Sequence, residues 1–347
     1  MHIYNFQKRG IIMNENGILQ VLMSTYNGAK YIEAQLDSIL SQPYRPVHIL
    51  IRDDGSSDNT VSILTQYERN YPELIKIIQG GNVGVISSFW TLMEQANQTA
   101  EYFCFCDQDD VWMPHKAQQA VQLLSDMERN FEHLHNQSYE FLGSSHYFTD
   151  RIPSMICTDT QLTDGELNPT AVWPGMPHLK PSFYNALIQN IAVGATVSFN
   201  RSALQLLINT KQNVNIDSIQ MHDWWAYLVI SCFGKINFIH TPSIYYRQHG
   251  GNAVGGEWTM YQKIKKKWNS FRKHKGDKKL LVKQAKEFKR IYGSSISDKD
   301  MIKQLDQFIA PRNTIMERIH YLRNCNLFRQ SLTEQLLFRF LILVGYI

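Results

Sequence analysis

Short apolar runs recur along the first hundred residues: Leu-Gln-Val-Leu-Met from Leu19, Val-His-Ile-Leu-Ile from Val47, Leu-Ile-Lys-Ile-Ile from Leu74 and Tyr-Phe-Cys-Phe-Cys from Tyr102, close to 28 residues apart each time. Runs of this length, bounded by polar and glycine-bearing stretches, predict buried strands. Between them the apolar positions step by three and four: Ile32, Leu36, Ile39 and Leu40; then Val61, Leu64 and Tyr67; then Phe89, Leu92, Met93 and Ala96. Each set marks one face of a helix. Strand and helix alternating at this period predict an α/β fold, with a doubly wound, mostly parallel sheet flanked by helices. In such a sheet ligands bind beyond the carboxyl ends of the strands, so the residues just after each strand are the candidates for function.

The pattern weakens from Asn130 to Ser182, where Pro153, Pro169, Pro174, Pro177 and Pro181 interrupt any long element, and irregular structure over the site is expected there. A strand-like run follows from Asn190 to Asn200, with Gly194 where a ligand or backbone can approach closely. Met221-His222-Asp223-Trp224-Trp225 then opens a helical pattern that continues through Leu228, Val229 and Cys232. After Tyr245-Tyr246-Arg247-Gln248-His249 the chain becomes basic, with Lys263, Lys265, Lys266 and Lys267 beside Trp268 and Phe271. The last residues, Phe340 to Ile347, are apolar but far short of the ~20 needed to span a bilayer.

Composition changes this picture in two ways. With 347 residues, 44% of them hydrophobic, the chain can bury a sizeable core, and its five cysteines are odd in number and lack metal-type spacing. They are read as reduced core residues, which suits the cytosol, and the polar stretch 1–17 lacks the apolar segment of a signal peptide. The net charge of +4 hides a division: residues 1–260 carry 15 Lys+Arg against 24 Asp+Glu, whereas residues 261–347 carry 20 against 7. A basic tail of this kind is expected to meet a polyanion, either nucleic acid or an acidic membrane face.

The chemistry gathers in the loops after the strands. Ser24-Thr25-Tyr26-Asn27-Gly28 follows the first, Arg52-Asp53-Asp54-Gly55-Ser56-Ser57-Asp58-Asn59-Thr60 the second, Gly80-Gly81-Asn82-Val83-Gly84 the third, and Asp107-Gln108-Asp109-Asp110 the fourth. If the chain stays extended past Cys106, Asp107 and Asp109 share one face. Paired carboxylates repel unless a cation sits between them, and a hard ion such as Mg²⁺ or Mn²⁺ takes oxygen ligands and completes its shell with substrate phosphates. Asp58 is read as the N-cap of the second helix; Asp53 and Asp54, before it, are placed to accept hydrogen bonds from a base or a ribose. No G-x-x-x-x-G-K-[ST] or G-x-G-x-x-G pattern is present, which argues against an ATPase or an NAD enzyme. Asp223, beside two indoles, is either a helix cap or a partly desolvated base.

The stretch Val21 to Gly28, the Arg52 to Thr60 loop and Cys106-Asp107-Gln108-Asp109-Asp110-Val111-Trp112 together resemble family 2 glycosyltransferases, more narrowly the bacterial rhamnosyltransferase-like members. The resemblance runs from about residue 18 to about 255. It implies a GT-A fold, a dTDP- or UDP-linked sugar donor, a divalent metal and inversion at the anomeric carbon. By that likeness Asp107 and Asp109 bind the metal, with His249 beside it, and Asp53 or Asp54 holds the nucleoside. Thr25, Tyr26, Asn27, Asn82, Gln108 and Arg247 complete the donor contacts. The His222-Asp223-Trp224-Trp225 stretch resembles the family's catalytic segment, so Asp223 takes the base role, while Trp112, Gly194, His222, Trp224 and Trp225 face the acceptor. The expected divisions are a lead-in over 1–17, a donor-binding half over 18–125, an acceptor-binding and catalytic half over 126–256, and a basic helical extension over 257–347. Because family acceptors are often lipid-linked glycans, the tail is expected to meet an anionic membrane face and not nucleic acid. A nucleotidyltransferase is the rival enzyme, but no basic triphosphate grip occurs early in the chain; a non-catalytic glycan-binding protein is the other alternative, against which the intact Asp107, Asp109 and Asp223 argue.

Overall fold

The computed structural model describes residues 17–135, 151–209, 214–248 and 280–347. The four apolar runs form β1 (Leu19–Thr25), β2 (Val47–Asp53), β3 (Ile75–Gln79) and β4 (Tyr102–Cys106). The stepped runs between them form α1 (Ile32–Leu40), α2 (Thr60–Asn70) and α3 (Val85–Glu94). Beyond them lie β5 (Val111–Trp112), α4 (Lys116–His135), β6 (Ser154–Thr158), β7 (Thr160–Thr163) and β8 (Pro169–Trp173). Then come α5 (Phe183–Ala186), β9 (Ser198–Asn200), α6 (Arg201–Ile208), α7 (His222–Phe233), β10 (Lys235–Ile239) and β11 (Ile244–Arg247). Four helices follow: α8 (Leu280–Tyr292), α9 (Lys299–Ile309), α10 (Ile315–Asn324) and α11 (Leu332–Leu343).

The main sheet has seven strands in the order β10-β6-β9-β4-β1-β2-β3. β1 pairs in parallel with both β2 and β4, and β9 is antiparallel to β4 and β6. The chain winds outward from β1 to β3 and then returns to the other side of β1. The resulting switch point between β1 and β4 opens a crevice at their carboxyl ends. The period of two along β4 divides its side chains between the two faces. Tyr102, Cys104 and Cys106 join the core beneath α1, α2 and α4. Phe103 and Phe105 join the larger core with α3, α6 and α7. The three buried cysteines among the five are therefore packing residues.

Two expectations are corrected. Residues 151–173 are not irregular: β6 enters the main sheet, and β7 and β8 form a small second sheet in the order β5-β11-β7-β8. Pro169 is tolerated because it begins β8, an edge strand with no inner ladder to feed. The run from Asn190 to Asn200 is not one strand. It turns at Gly194–Thr196, where Thr196 N donates to Val193 O (2.8 Å) and Val197 N to Gly194 O (2.9 Å), and only Ser198–Asn200 is extended. The helical C-terminal region packs into the larger core through Phe288, Tyr292, Phe308, Phe338 and Ile342, with Phe288 and Tyr292 against Trp225 of α7. Among the described residues no helix is long and apolar enough to cross a membrane.

Candidate active site

A cleft of about 420 Å³ opens at the β1–β4 switch point. Its floor is the acidic loop after β4. Asp107 is half-buried, and Gln35 of α1 supports the loop by donating to Asp107 O (3.1 Å). Burial, reinforced by the charges of Asp109 and Asp223, raises the Asp107 carboxyl to about 7. Behind the loop sits Lys116, buried and donating to Ala195 O (2.8 Å) and Ser243 Oγ (3.3 Å). Its charge opposes the rise at Asp107 and Asp110. Asp110 turns away from the cleft, accepting Arg247 N (3.1 Å). The two half-buried carboxylates on this floor, Asp107 and Asp109, suit a hard dication, which would remove their repulsion. Among the described residues no group of three or more His, Cys, Asp or Glu is placed to hold a metal alone, so donor phosphates would have to complete the shell. His249 lies outside the described residues.

The β1 loop is braced from both sides. Gln108 accepts Tyr26 N (2.9 Å) and donates to Tyr26 O (3.0 Å), so its amide is a strut between the first and fourth loops. A Cβ on Gly28 would fall 2.2 Å from Gln108 Oε1, which is why a glycine fits there. Asn27 N donates to Ser56 Oγ and Asn27 Oδ1 accepts Ser57 N, tying the first loop to the second. Asp58 does not occupy the cap position of α2, which is Asn59. Its carboxylate reaches one residue further, to Thr60 N (3.0 Å), and also takes Ala29 N (3.1 Å).

The same geometry separates the two aspartates that end β2. Asp53 accepts from Thr25 Oγ1, Ser56 Oγ, Gly55 N and Ser56 N, filling the acceptor capacity of both oxygens, and it does not line the cleft. Asp54 does line it. Oδ1 takes Arg52 and Val83 N, whereas Oδ2 takes Gly84 N (3.0 Å) and keeps a lone pair.

The opposite wall is the turn at Gly194 with the start of α7. Asp223 is a first-turn residue of α7, not its cap, and Oδ1 accepts Trp224 N (2.6 Å). Burial raises its carboxyl to about 6, against hydrogen bonds from Trp224, Asn190 and Gly194 that hold it down. His222 stacks on Phe89 (3.7 Å between ring centres) and meets the edge of Phe105. Neither of its ring nitrogens has a hydrogen-bond partner among the described residues, and burial lowers its pKa to about 3, so it is neutral. A Cβ at Gly194 would stand 3.3 Å from both Asp223 Oδ2 and His222 Nε2.

Of the residues expected from the sequence, Tyr26, Asp54, Asn82, Asp107, Gln108, Asp109, Gly194, His222 and Asp223 line this cleft. Thr25, Asn27 and Asp53 lie behind it as loop braces. Four expected site residues do not line this cleft. Arg247 is buried: Nε donates to Asp109 O (2.9 Å), Nη1 donates to Gly165 O, and the guanidinium covers the Tyr31 ring. It positions the acidic loop from behind. Trp112 and Trp225 are core residues with no face on the cleft, and Trp224 spends its indole N–H on Ala186 O (2.7 Å). The aromatic rings that do line the cleft beside the acidic floor include Trp173 of β8 and Tyr246 of β11. Trp173, Asn190 and Lys116 escaped the sequence reading because each reaches the site through a non-local contact and none belongs to a local motif.

A switch-point cleft with an acidic fourth loop facing a carboxylate on a later helix belongs to a GT-A-like α/β fold. The N-terminal fragment 1–349 of S. aureus TarS in complex with UDP-GlcNAc shares this fold, with a TM-score of 0.54 at 16% identity over 84% of this chain and 70% of that one. Residues 20–174 match glycosyl transferase family 2. It is 27% identical over 248 residues to the dTDP-rhamnosyl transferase RfbG of Shigella flexneri, covering 70% of this chain and 77% of that protein. It is also 27% identical over 242 residues to an uncharacterized glycosyltransferase of Nostoc sp., covering 67% of this chain and 66% of the other.

Proposed function

We propose that the protein is an inverting glycosyltransferase that moves a sugar from a nucleoside-diphosphate donor to a hydroxyl of a glycan or lipid-linked glycan in cell-surface polysaccharide synthesis. The observation that carries this reading is the pairing of the Asp107 floor and the Asp223 wall across one cleft, close enough that the charge of Asp223 helps to raise the Asp107 carboxyl. Likeness to RfbG supports a dTDP-linked rhamnose, and likeness to TarS supports a UDP-linked sugar as the alternative donor.

In this reading Asp54 Oδ2 accepts from the base, with Tyr26 and Asn82 beside it on the nucleoside side of the cleft. Asp107 and Asp109 are the residues to hold Mg²⁺ or Mn²⁺, which when bound neutralises charge on the departing diphosphate. Asp223 accepts the proton of the acceptor hydroxyl as that oxygen attacks the sugar's C1 and the C1–O bond to the diphosphate breaks. Trp173 offers an apolar ring to a sugar face, the role first expected of Trp224 and Trp225. Gly194 keeps room for the attacking oxygen.

The test is calorimetry of dTDP-rhamnose and UDP-linked sugars with Mn²⁺ or Mg²⁺, followed by NMR of the transferred sugar. Binding of one donor and an inverted anomeric centre are expected. Absence of binding by any nucleotide sugar overturns the reading, and a retained configuration overturns its mechanism.

A further inference from the structure

The last helix, α11, is apolar on both sides. Phe338 and Ile342 point into the core, while Leu332 (75% exposed), Leu336 (59%), Leu337, Phe340 (57%) and Val344 (50%) form a stripe on the opposite side. A helix that faces water on one side normally carries charge there. The two charged residues of α11 are instead turned onto the protein: Glu334 accepts Gln189 Nε2 (2.9 Å), and Arg339 donates to Leu322 O (3.0 Å). At the far end of the stripe Arg318 of α10 donates to Leu343 O, and Ile315 and Met316 of that helix are exposed too.

We propose that this stripe is an interfacial docking surface for an anionic lipid membrane, with α11 lying in the plane of the headgroups. The helix has 12 residues, enough for the surface but too few to cross. The charge of the helical region that carries it selects lipid over a second copy of the chain. Residues 280–347 carry 11 Lys+Arg against 6 Asp+Glu. A face-to-face pair would bring two such positive surfaces together, whereas an anionic membrane complements them.

The placement also fits the cleft, and here the inference rests on the reading of a lipid-linked acceptor. The base of α11 grips the segment that leads into the cleft wall: Arg329 donates to Ile188 O (2.6 Å), and Gln189 accepts Gln330 N (2.8 Å). Asn190 and Gly194 follow directly and line the cleft. A membrane held by α11 therefore meets the protein on the element that also shapes the acceptor side.

The experiment is co-flotation of the full chain with vesicles of phosphatidylcholine alone, and of phosphatidylcholine with phosphatidylglycerol, at low and high salt. The expected result is binding to the anionic vesicles that falls at least tenfold in Leu336→Glu/Phe340→Glu. Part of the wild-type binding should survive high salt, since apolar insertion is not screened. Both positions are exposed, so the variant keeps the thermal midpoint and the donor affinity of the wild type. Equal flotation of variant and wild type overturns the proposal, because charge alone then holds the membrane. So does a wild-type oligomer that does not float and that the variant dissociates, which assigns the stripe to a second copy. Donor affinity measured on the same preparations separates the two readings: loss of flotation with normal donor binding indicts only the docking surface, and absent donor binding indicts the enzyme assignment.

Discussion

Replacing Asp223 by Asn separates the charge of this carboxylate from its shape. In the free protein its pKa is raised from 3.8 to about 6, chiefly by burial. At about 1.4 kcal/mol per pK unit, holding the ionised form in the fold costs roughly 3 kcal/mol at neutral pH. The amide removes that cost and keeps an oxygen for Trp224 N. It also turns an N–H toward Gly194 N or Asn190, forfeiting roughly 1 kcal/mol. The variant should therefore be about 1–2 kcal/mol more stable than the wild type at pH 7 and melt a few degrees higher. The sign of the pH dependence follows from the raised pKa: the penalty is complete above about 6 and vanishes below the unfolded value of 3.8. The stability gap should close as pH falls between those values. Activity should move the other way, with transfer down ~10²–10⁴-fold and donor affinity nearly unchanged. Wild-type kcat/KM should fall as pH drops through about 6, while the residual rate of the variant stays flat there. Thermal melts from pH 4 to 8, donor calorimetry and transfer rates on one preparation test all of this. A normal transfer rate in Asp223→Asn refutes the base role, and a variant that melts lower and loses donor affinity shows a structural role instead.

The remaining predictions concern what surrounds this carboxylate. Asp109→Ala should abolish turnover and metal-dependent donor binding together, and full wild-type activity in excess EDTA would remove the metal from the scheme. Gly194→Ala sets a methyl 3.3 Å from Asp223 Oδ2 and His222 Nε2, so transfer should fall at least tenfold while donor affinity holds; an unchanged transfer rate would show that the turn yields. Arg247→Lys loses the fork that joins Asp109 O to Gly165 O, and the expected outcome is weakened metal-dependent donor binding with the fold intact, checked by calorimetry beside circular dichroism.

The alternation of strand and helix was legible in the chain because each element buries one face, and a buried face leaves a period in the sequence. β4 shows this most plainly: its alternate residues serve two different cores, and the charge that begins at Asp107 marks where it leaves them. The same logic placed the polar loops at one edge of the sheet before any coordinate was known. What lay beyond it were assignments that depend on non-local partners. Asp53 and Asp54 are chemically identical neighbours, and only the donors around them show that one is saturated and the other keeps an open oxygen. Arg247 and Trp225 have the chemistry for a binding site, yet Arg247 approaches the acidic loop from behind and Trp225 packs on α8. Trp173 carries no motif and reaches the cleft because β8 pairs along β7. The outer stripe of α11 could equally have been core by hydropathy. Only the packing of Phe338 and Ile342 decided which side of that helix was left to the solvent.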